Sequence, residues 1–190
     1  MEDESYTLDV SPPVAKLSAN TTVGALRGLE TFVQLVNVTG CNQLISGSLQ
    51  VKDSPRFPWR GLLVDTSRHY QPVDKLKKLI EGMAMIKMNV VHWHLVDTQS
   101  FPIESRLYPM LSGKGASNLN EGNRAQRYSP SNVRDVVEYG RQRGVRVMPE
   151  FDMPGHAQSR LLYTSPRPRD ECEAPMPSPA WKTTLTYPTP

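Results

Sequence analysis

The sequence is short of several things. Its 190 residues include two cysteines, Cys41 and Cys172, four histidines and 7% aromatics. Two cysteines cannot build a disulfide framework, and neither sits in a zinc-type spacing. No apolar run approaches the ~20 residues of a membrane-spanning helix. Charge of one sign is scarce too: 22 Lys+Arg against 19 Asp+Glu leave a net charge of +3. That excess is too small and too scattered for a nucleic-acid-binding surface. The opening Met1-Glu2-Asp3-Glu4-Ser5 is acidic where a signal peptide is basic and then apolar. The expectation is a cytosolic chain, or one whose natural N-terminus is missing. What is present, 38% hydrophobic and 22% charged residues, suits a globular chain. Asn20-Thr21-Thr22 and Asn37-Val38-Thr39 are glycosylation sequons, which matter only on the secretory route.

Residues 6–10 and 14–18 alternate apolar and polar around Pro12-Pro13, which predicts two strands. Residues 22–36 follow at helical spacing. Val23, Leu26, Leu29, Val33 and Val36 form the apolar stripe, widened by Phe32 and Leu35. Residues 54–59, with Pro55 and Pro58, read as a boundary. Beyond it the pattern becomes strand (61–65), helix (74–88), strand (89–96), long polar loop (97–128), helix, and strand (145–152). Ser129-Pro130 predicts an N-cap with proline at the first helical position. Val133, Val136, Val137 and Gly140 are the expected buried face, and Gly144 the stop. Leu76, Leu79, Ile80 and Met83 play the same part in the preceding helix. Alternating apolar strands and helices predict a parallel sheet covered by helices, with right-handed crossovers. The expected organisation is therefore a small α/β domain (1–53), a βα-repeat region (54–159) and a tail (160–190). The tail holds 7 of the 17 prolines and no periodicity, so it is expected to be disordered.

In such a sheet, chemistry gathers at the C-terminal ends of the strands. Three clusters fall there: Asp65-Thr66-Ser67-Arg68-His69, residues 94–101 from His94 onward, and Asp152-Met153-Pro154-Gly155-His156. His92 and His94 stand two apart on a strand and face the same way, so they could share a zinc ion. The competing reading makes one ring a hydrogen-bond partner in the pocket and the other a packed side chain. In a regular strand Asp97 faces opposite to both histidines, so it can join them only from the turn. Pro154-Gly155 predicts a tight turn that holds Asp152 near His156. Gly113-Lys114-Gly115 neither follows a strand directly nor opens a helix, so it is a negligible signal for a phosphate loop. Arg60 opens the first strand of the repeat region. Its guanidinium fork could reach sugar hydroxyls, although the start of a strand is normally the non-catalytic end.

Three stretches carry a family resemblance. Pro55-Arg56-Phe57-Pro58-Trp59-Arg60-Gly61-Leu62-Leu63-Val64-Asp65-Thr66-Ser67-Arg68-His69-Tyr70 resembles the opening barrel strand of family 20 glycoside hydrolases, the β-N-acetylhexosaminidases. Val91-His92-Trp93-His94-Leu95-Val96-Asp97, with Ser100-Phe101-Pro102, resembles the second strand. Val147-Met148-Pro149-Glu150-Phe151-Asp152-Met153-Pro154-Gly155-His156 resembles the third. Residues 6–36 are similar to the end of that family's non-catalytic N-terminal domain.

The resemblance implies the first three βα units of a (β/α)8 TIM barrel behind a small α/β domain. It implies hydrolysis of terminal β-linked N-acetylglucosamine or N-acetylgalactosamine from glycans by substrate-assisted retaining catalysis, with no cofactor. The substrate's acetamido oxygen is the nucleophile in that scheme, and a Glu protonates the leaving oxygen. Arg60 matches the family's sugar-gripping arginine. Asp97, Asp152 and His156 match pocket-supporting residues. The family implies homo- or heterodimers and a lysosomal, vacuolar or secreted setting.

Thr98 departs from the family, where a second aspartate is common, and residues 118–127 look longer than usual. The resemblance is expected to end after Ser159, before the family's catalytic Asp-Glu strand. Asp170-Glu171 is not assigned that role. The 190 residues alone are therefore expected to be an inactive fragment. The alternatives from other classes are a non-catalytic carbohydrate- or partner-binding fragment and a metal-dependent barrel hydrolase built on His92 and His94.

Overall fold

The computed structural model describes residues 2–39, 42–44, 47–117, 126–152 and 155–156. The expected tail and Asp170-Glu171 lie outside the described residues, as do Met153 and Pro154. Three strands, β1 (Tyr6–Ser11), β2 (Val14–Ala19) and β5 (Leu49–Asp53), form an antiparallel sheet in the order β2-β1-β5. β3 (Asn37–Thr39) and β4 (Asn42–Leu44) pair as a short separate ribbon. Sequence patterning foresaw β1 and β2 but not β3, β4 or β5. Three-residue strands are too short for alternation to register, and β5 is polar in every second place because one side faces water.

Helix α1 (Thr22–Leu35) begins at Thr21, whose side chain accepts from the Gly24 N–H. Its buried residues are Gly24, Arg27 and Gly28, and only part of the expected apolar stripe packs inward. Leu29 and Val33 are exposed, while Phe32 and Leu35 pack on the cluster of Tyr6, Leu8 and Val10. The approach is close. A Cβ on Gly28 would stand 2.3 Å from Leu17 Cδ1.

The second sheet is parallel, in the order β6-β7-β8, from β6 (Gly61–Asp65), β7 (Val90–Val96) and β8 (Arg146–Phe151). Helices α2 (Val73–Met85) and α4 (Pro130–Arg141) connect its strands. A short helix, α3 (Met110–Gly115), lies in the stretch expected to be loop. Both longer helices cover one face. Leu76, Ile80 and Met83 of α2 and Val136 of α4 share a core with Val91, Trp93 and Leu95 of β7. Val137, expected in that core, is exposed instead. Gly140 is needed for close docking, since a Cβ there would lie 2.6 Å from the Val145 carbonyl oxygen. The capping box at Ser129 and Asn132, with Pro130 behind it, starts α4 where the sequence placed it. The long loop is pinned by Tyr128, fully buried, stacked on Tyr70 at 4.7 Å and edge-on to Trp93 at 5.0 Å.

Register then sorts the strands' side chains. Leu63, His92 and Met148 are paired across the sheet, as are Asp65, His94 and Glu150. Alternation places all six on the face turned away from the helices. Among the described residues no helix is long and apolar enough to cross a membrane.

The two sheets are joined where the parallel strands begin. Glu4, 5% exposed, takes Arg27 Nε at 2.8 Å, Arg60 Nη2, and Asn89 Nδ2 at 2.6 Å. Arg27 also donates to the carbonyls of Met88 at 3.3 Å and Gly144 at 2.8 Å. A buried pair is weak evidence of net stability, but removing one member leaves the other charged and unpaired. Glu4→Ala strips two guanidinia at once and is expected to cost about 3–5 kcal/mol, read from urea denaturation. A loss below about 1 kcal/mol, the worth of an exposed pair, would show the junction to be dispensable.

Candidate active site

The C-terminal ends of β6, β7 and β8 meet around one carboxylate. Asp97, 2% exposed, follows the end of β7. A register shift between His94 and Val96 breaks the strict alternation of β7, and Asp97 turns back onto His94. Asp97 Oδ2 lies 2.9 Å from His94 Nε2 and 2.6 Å from Arg68 Nη2. Its Oδ1 accepts the Thr98 N–H at 2.6 Å and lies 3.1 Å from His156 Nδ1. The aspartate thus joins the histidine from the turn, the only route its parity allows.

Each neighbour is positioned by its own strand. Asp65, the last residue of β6, accepts the N–H groups of Ser67 and Arg68, both at 3.0 Å, and folds the loop into a tight turn. Its other oxygen holds Arg68 Nη1 at 2.5 Å. Arg68 is therefore forked between two aspartates and remains 44% exposed. Ser67 Oγ donates to the Ser100 carbonyl at 2.8 Å, and Trp93 Nε1 to Thr66 Oγ1 at 2.9 Å, which ties the first loop to the second. His156 has φ +56°, in the left-handed region that costs a non-glycine residue energy. That conformation accompanies the contact of its ring with Asp97.

Glu150 of β8 completes the cluster. It sits opposite His94 in the register, 3.0 Å from His94 Nδ1, and its Oε2 also meets His92 Nε2. The two imidazoles do point the same way, as their spacing implied. They converge on a carboxylate and not on an open coordination position. Two sets of donors, His94-Glu150-Asp152 and Asp97-Asp152-His156, have ligand atoms within 4.8 Å of one another. These are the described residues best placed for a metal ion, and His92 is in neither. Asp152 belongs to both, so Asp97, Asp152 and His156 do share one site.

Arg60 does not join them. It lies at the opposite end of β6, with Nε on the Lys87 carbonyl at 2.8 Å, Nη1 on the Phe57 carbonyl at 2.7 Å and Nη2 on Glu4. Its fork is occupied by the junction, which corrects the expectation that it reaches the pocket. The arginine at the mouth is Arg68, present in the first sequence cluster but assigned no role there. Glu150 was missed as well. Its part depends on strand register, which the sequence does not display.

Charge explains why the cluster holds together. Burial disfavours the Asp97 carboxylate, yet the Thr98 N–H, His94, His156 and Arg68 hold its carboxyl well below the usual range. Burial also works against a charged His94, but Asp97 and Glu150 outweigh it and raise the imidazole above its ordinary value. The signs set a pH window. A raised His94 stabilises the fold fully below its unfolded value of about 6.5, and this contribution is lost as pH rises through the folded value. The lowered Asp97 contributes above about pH 3.9 and loses its effect as pH falls through its folded value. Unfolding free energy should therefore fall as pH rises above about 6.5, and His94→Gln should flatten that slope. Equal slopes in both proteins, from urea denaturation across the range, would contradict the assignment.

Comparison with known proteins adds the family. Residues 57–185 match the model described as "Glycosyl hydrolase family 20, catalytic domain". Residues 1–35 match "beta-acetyl hexosaminidase like". The first match runs beyond Ser159, where the motif resemblance was expected to stop; the additional stretch has no hydrophobic period to reveal it. The human beta-hexosaminidase subunit beta is 53% identical over 157 residues, 83% of this chain and 27% of that protein. The mouse subunit alpha is 46% identical over 156 residues, 82% of this chain and 29% of that protein. A solved structure of a Flavobacterium johnsoniae chitobiase superposes with TM-score 0.73 at 42% identity, covering 84% of this chain and 23% of that one. The chain spans less than a third of the length of these relatives.

Proposed function

This chain belongs to glycosyl hydrolase family 20, and we propose that its residues serve the hydrolysis of terminal β-linked N-acetylhexosamines from glycans. The observation that carries the reading is the Arg68–Asp97–His156 constellation at the C-terminal end of a parallel sheet. A half-exposed guanidinium, oriented by two aspartates, presents a planar donor fork to sugar hydroxyls. The shell of Asp97, His94, Glu150, Asp152 and His156 is placed to hold the polar side of such a pocket in one arrangement. None of the described residues is assigned the role of general acid.

The parallel sheet is read as the first part of a (β/α)8 barrel. Residues 1–53 are read as the end of the domain in front of it, and the barrel part as 54–159. In support, helices cover one sheet face while the other carries the polar cluster. The relatives are named as subunits alpha and beta, which supports a dimer. A His94 that stays protonated in mild acid suits a lysosomal or vacuolar setting.

The test is a chimera in which this chain's matched residues replace those of the human subunit beta, assayed with 4-nitrophenyl N-acetyl-β-D-glucosaminide. Hydrolysis that survives dialysis against a chelator is expected. A folded chimera that binds N-acetylglucosamine without turnover would favour the non-catalytic reading. Loss of activity on chelation, restored by zinc, would favour the metal reading through the Asp152 donor sets. Within the chimera, Arg68→Lys keeps the charge but loses the fork. It should lower kcat/KM at least tenfold, whereas Arg60→Lys should chiefly lower the melting temperature. The reverse pattern would restore Arg60 as the substrate-binding arginine.

A further inference from the structure

A second polar concavity lies on the same rim, outside the Asp97 cluster. α4 follows β7 through the long loop, so its first turn stands at the C-terminal end of the sheet. Beside that turn is an open cavity of about 450 Å³ lined by Arg106, Arg127, Ser131 and Arg134, with Ser105 and Ser112. Glu104 also lines it, the only acidic group that does among the described residues.

The surrounding acids are engaged elsewhere. Asp135 holds Lys77 at 2.8 Å, and Glu138 holds Arg141 at 2.6 Å. Among the described residues, no carboxylate pairs with Arg106 or Arg134. Arg127 Nη2 donates to the Gly113 carbonyl at 3.2 Å, but its Nε is buried and meets no acceptor. The first turn of α4 contains no acidic residue, so the positive end of the helix dipole is not neutralised within the helix. Three guanidinia and a helix start therefore border a space that, among the described residues, is lined by one carboxylate. The volume falls within the ~300–1,000 Å³ range of small-molecule sites, more room than a bare ion needs.

We propose that this cavity is an oxyanion site that takes a sulfate or phosphate ester borne on a sugar-sized molecule. Guanidinium forks match the paired oxygens of such esters, and serine hydroxyls supply further donors. The inference is independent of the hydrolase reading, because binding here requires neither turnover nor the Asp97 cluster.

The test is calorimetric titration with galactose 6-sulfate, galactose 6-phosphate, inorganic sulfate, inorganic phosphate and neutral galactose at matched ionic strength. Saturable binding of at least one ester, tighter than the bare ions, is expected, with none for galactose. The two esters distinguish a sulfate from a phosphate ligand. Arg106→Gln with Arg134→Gln changes two exposed side chains. The pair should weaken binding at least tenfold while leaving the melting temperature without ligand unchanged. Melting shifts of both proteins with each ligand give a second readout, and the comparison cancels the general stabilisation that sulfate gives any fold. Binding unchanged by the double substitution, bare ions binding as tightly as the esters, or equal melting shifts in both proteins would overturn the proposal.

Discussion

A carboxylate that is 2% exposed must have partners, and at the candidate site it finds them on three different strand ends. Leaving an isolated charge in an apolar interior is far costlier than pairing it, so Asp97 acts as a geometric constraint. It can stay ionised only while Arg68 arrives from β6, His94 from β7 and His156 from beyond β8. Each of those residues is constrained in turn, Arg68 by the Asp65 turn, His94 by Glu150, and His156 by a left-handed backbone. The polar pocket and the ordering of its loops follow from the same few hydrogen bonds.

The opposite end of the sheet uses similar chemistry for another purpose. Arg60 and Arg68 bracket the first parallel strand, and each meets acidic partners. At the start of the strand the partner is Glu4, together with Arg27 and Asn89, and the network is closed off between two sheets. At the end of the strand the guanidinium remains accessible. Equivalent side chains thus become a closed structural junction or an accessible donor fork according to which strand end carries them, the division expected of βα architectures.

The sequence disclosed the elements wherever a strong local signal existed. Ser129-Pro130 specifies a helix start by capping chemistry alone, and β7 is rich in β-branched and aromatic residues. The packing face of α1 is legible only in part: Phe32 and Leu35 pack inward, but Leu29 and Val33 stay exposed, and the closest approach is made at Gly24 and Gly28, which carry no apolar signal. α3 has six residues and β3 three, too few for a period to emerge. In the site, Asp97, Asp152 and His156 were recognisable because each follows a strand. Glu150 and the fork of Arg68 were not, since both depend on register across the sheet. Arg60 was drawn toward the pocket by motif resemblance, while its own position at the start of a strand already argued for the junction.

The central claim is that one carboxylate organises three loops. Residue-level hydrogen exchange on the Asp97→Asn variant tests it most directly. Asparagine keeps the size but loses the charge and one acceptor. The account predicts that amide protection falls together in residues 66–69, 97–100 and 155–156, while Val91, Trp93 and the buried turns of α2 stay protected. Loosening confined to residues 97–100 would contradict it, because the loops after β6 and β8 would then be held by something other than Asp97.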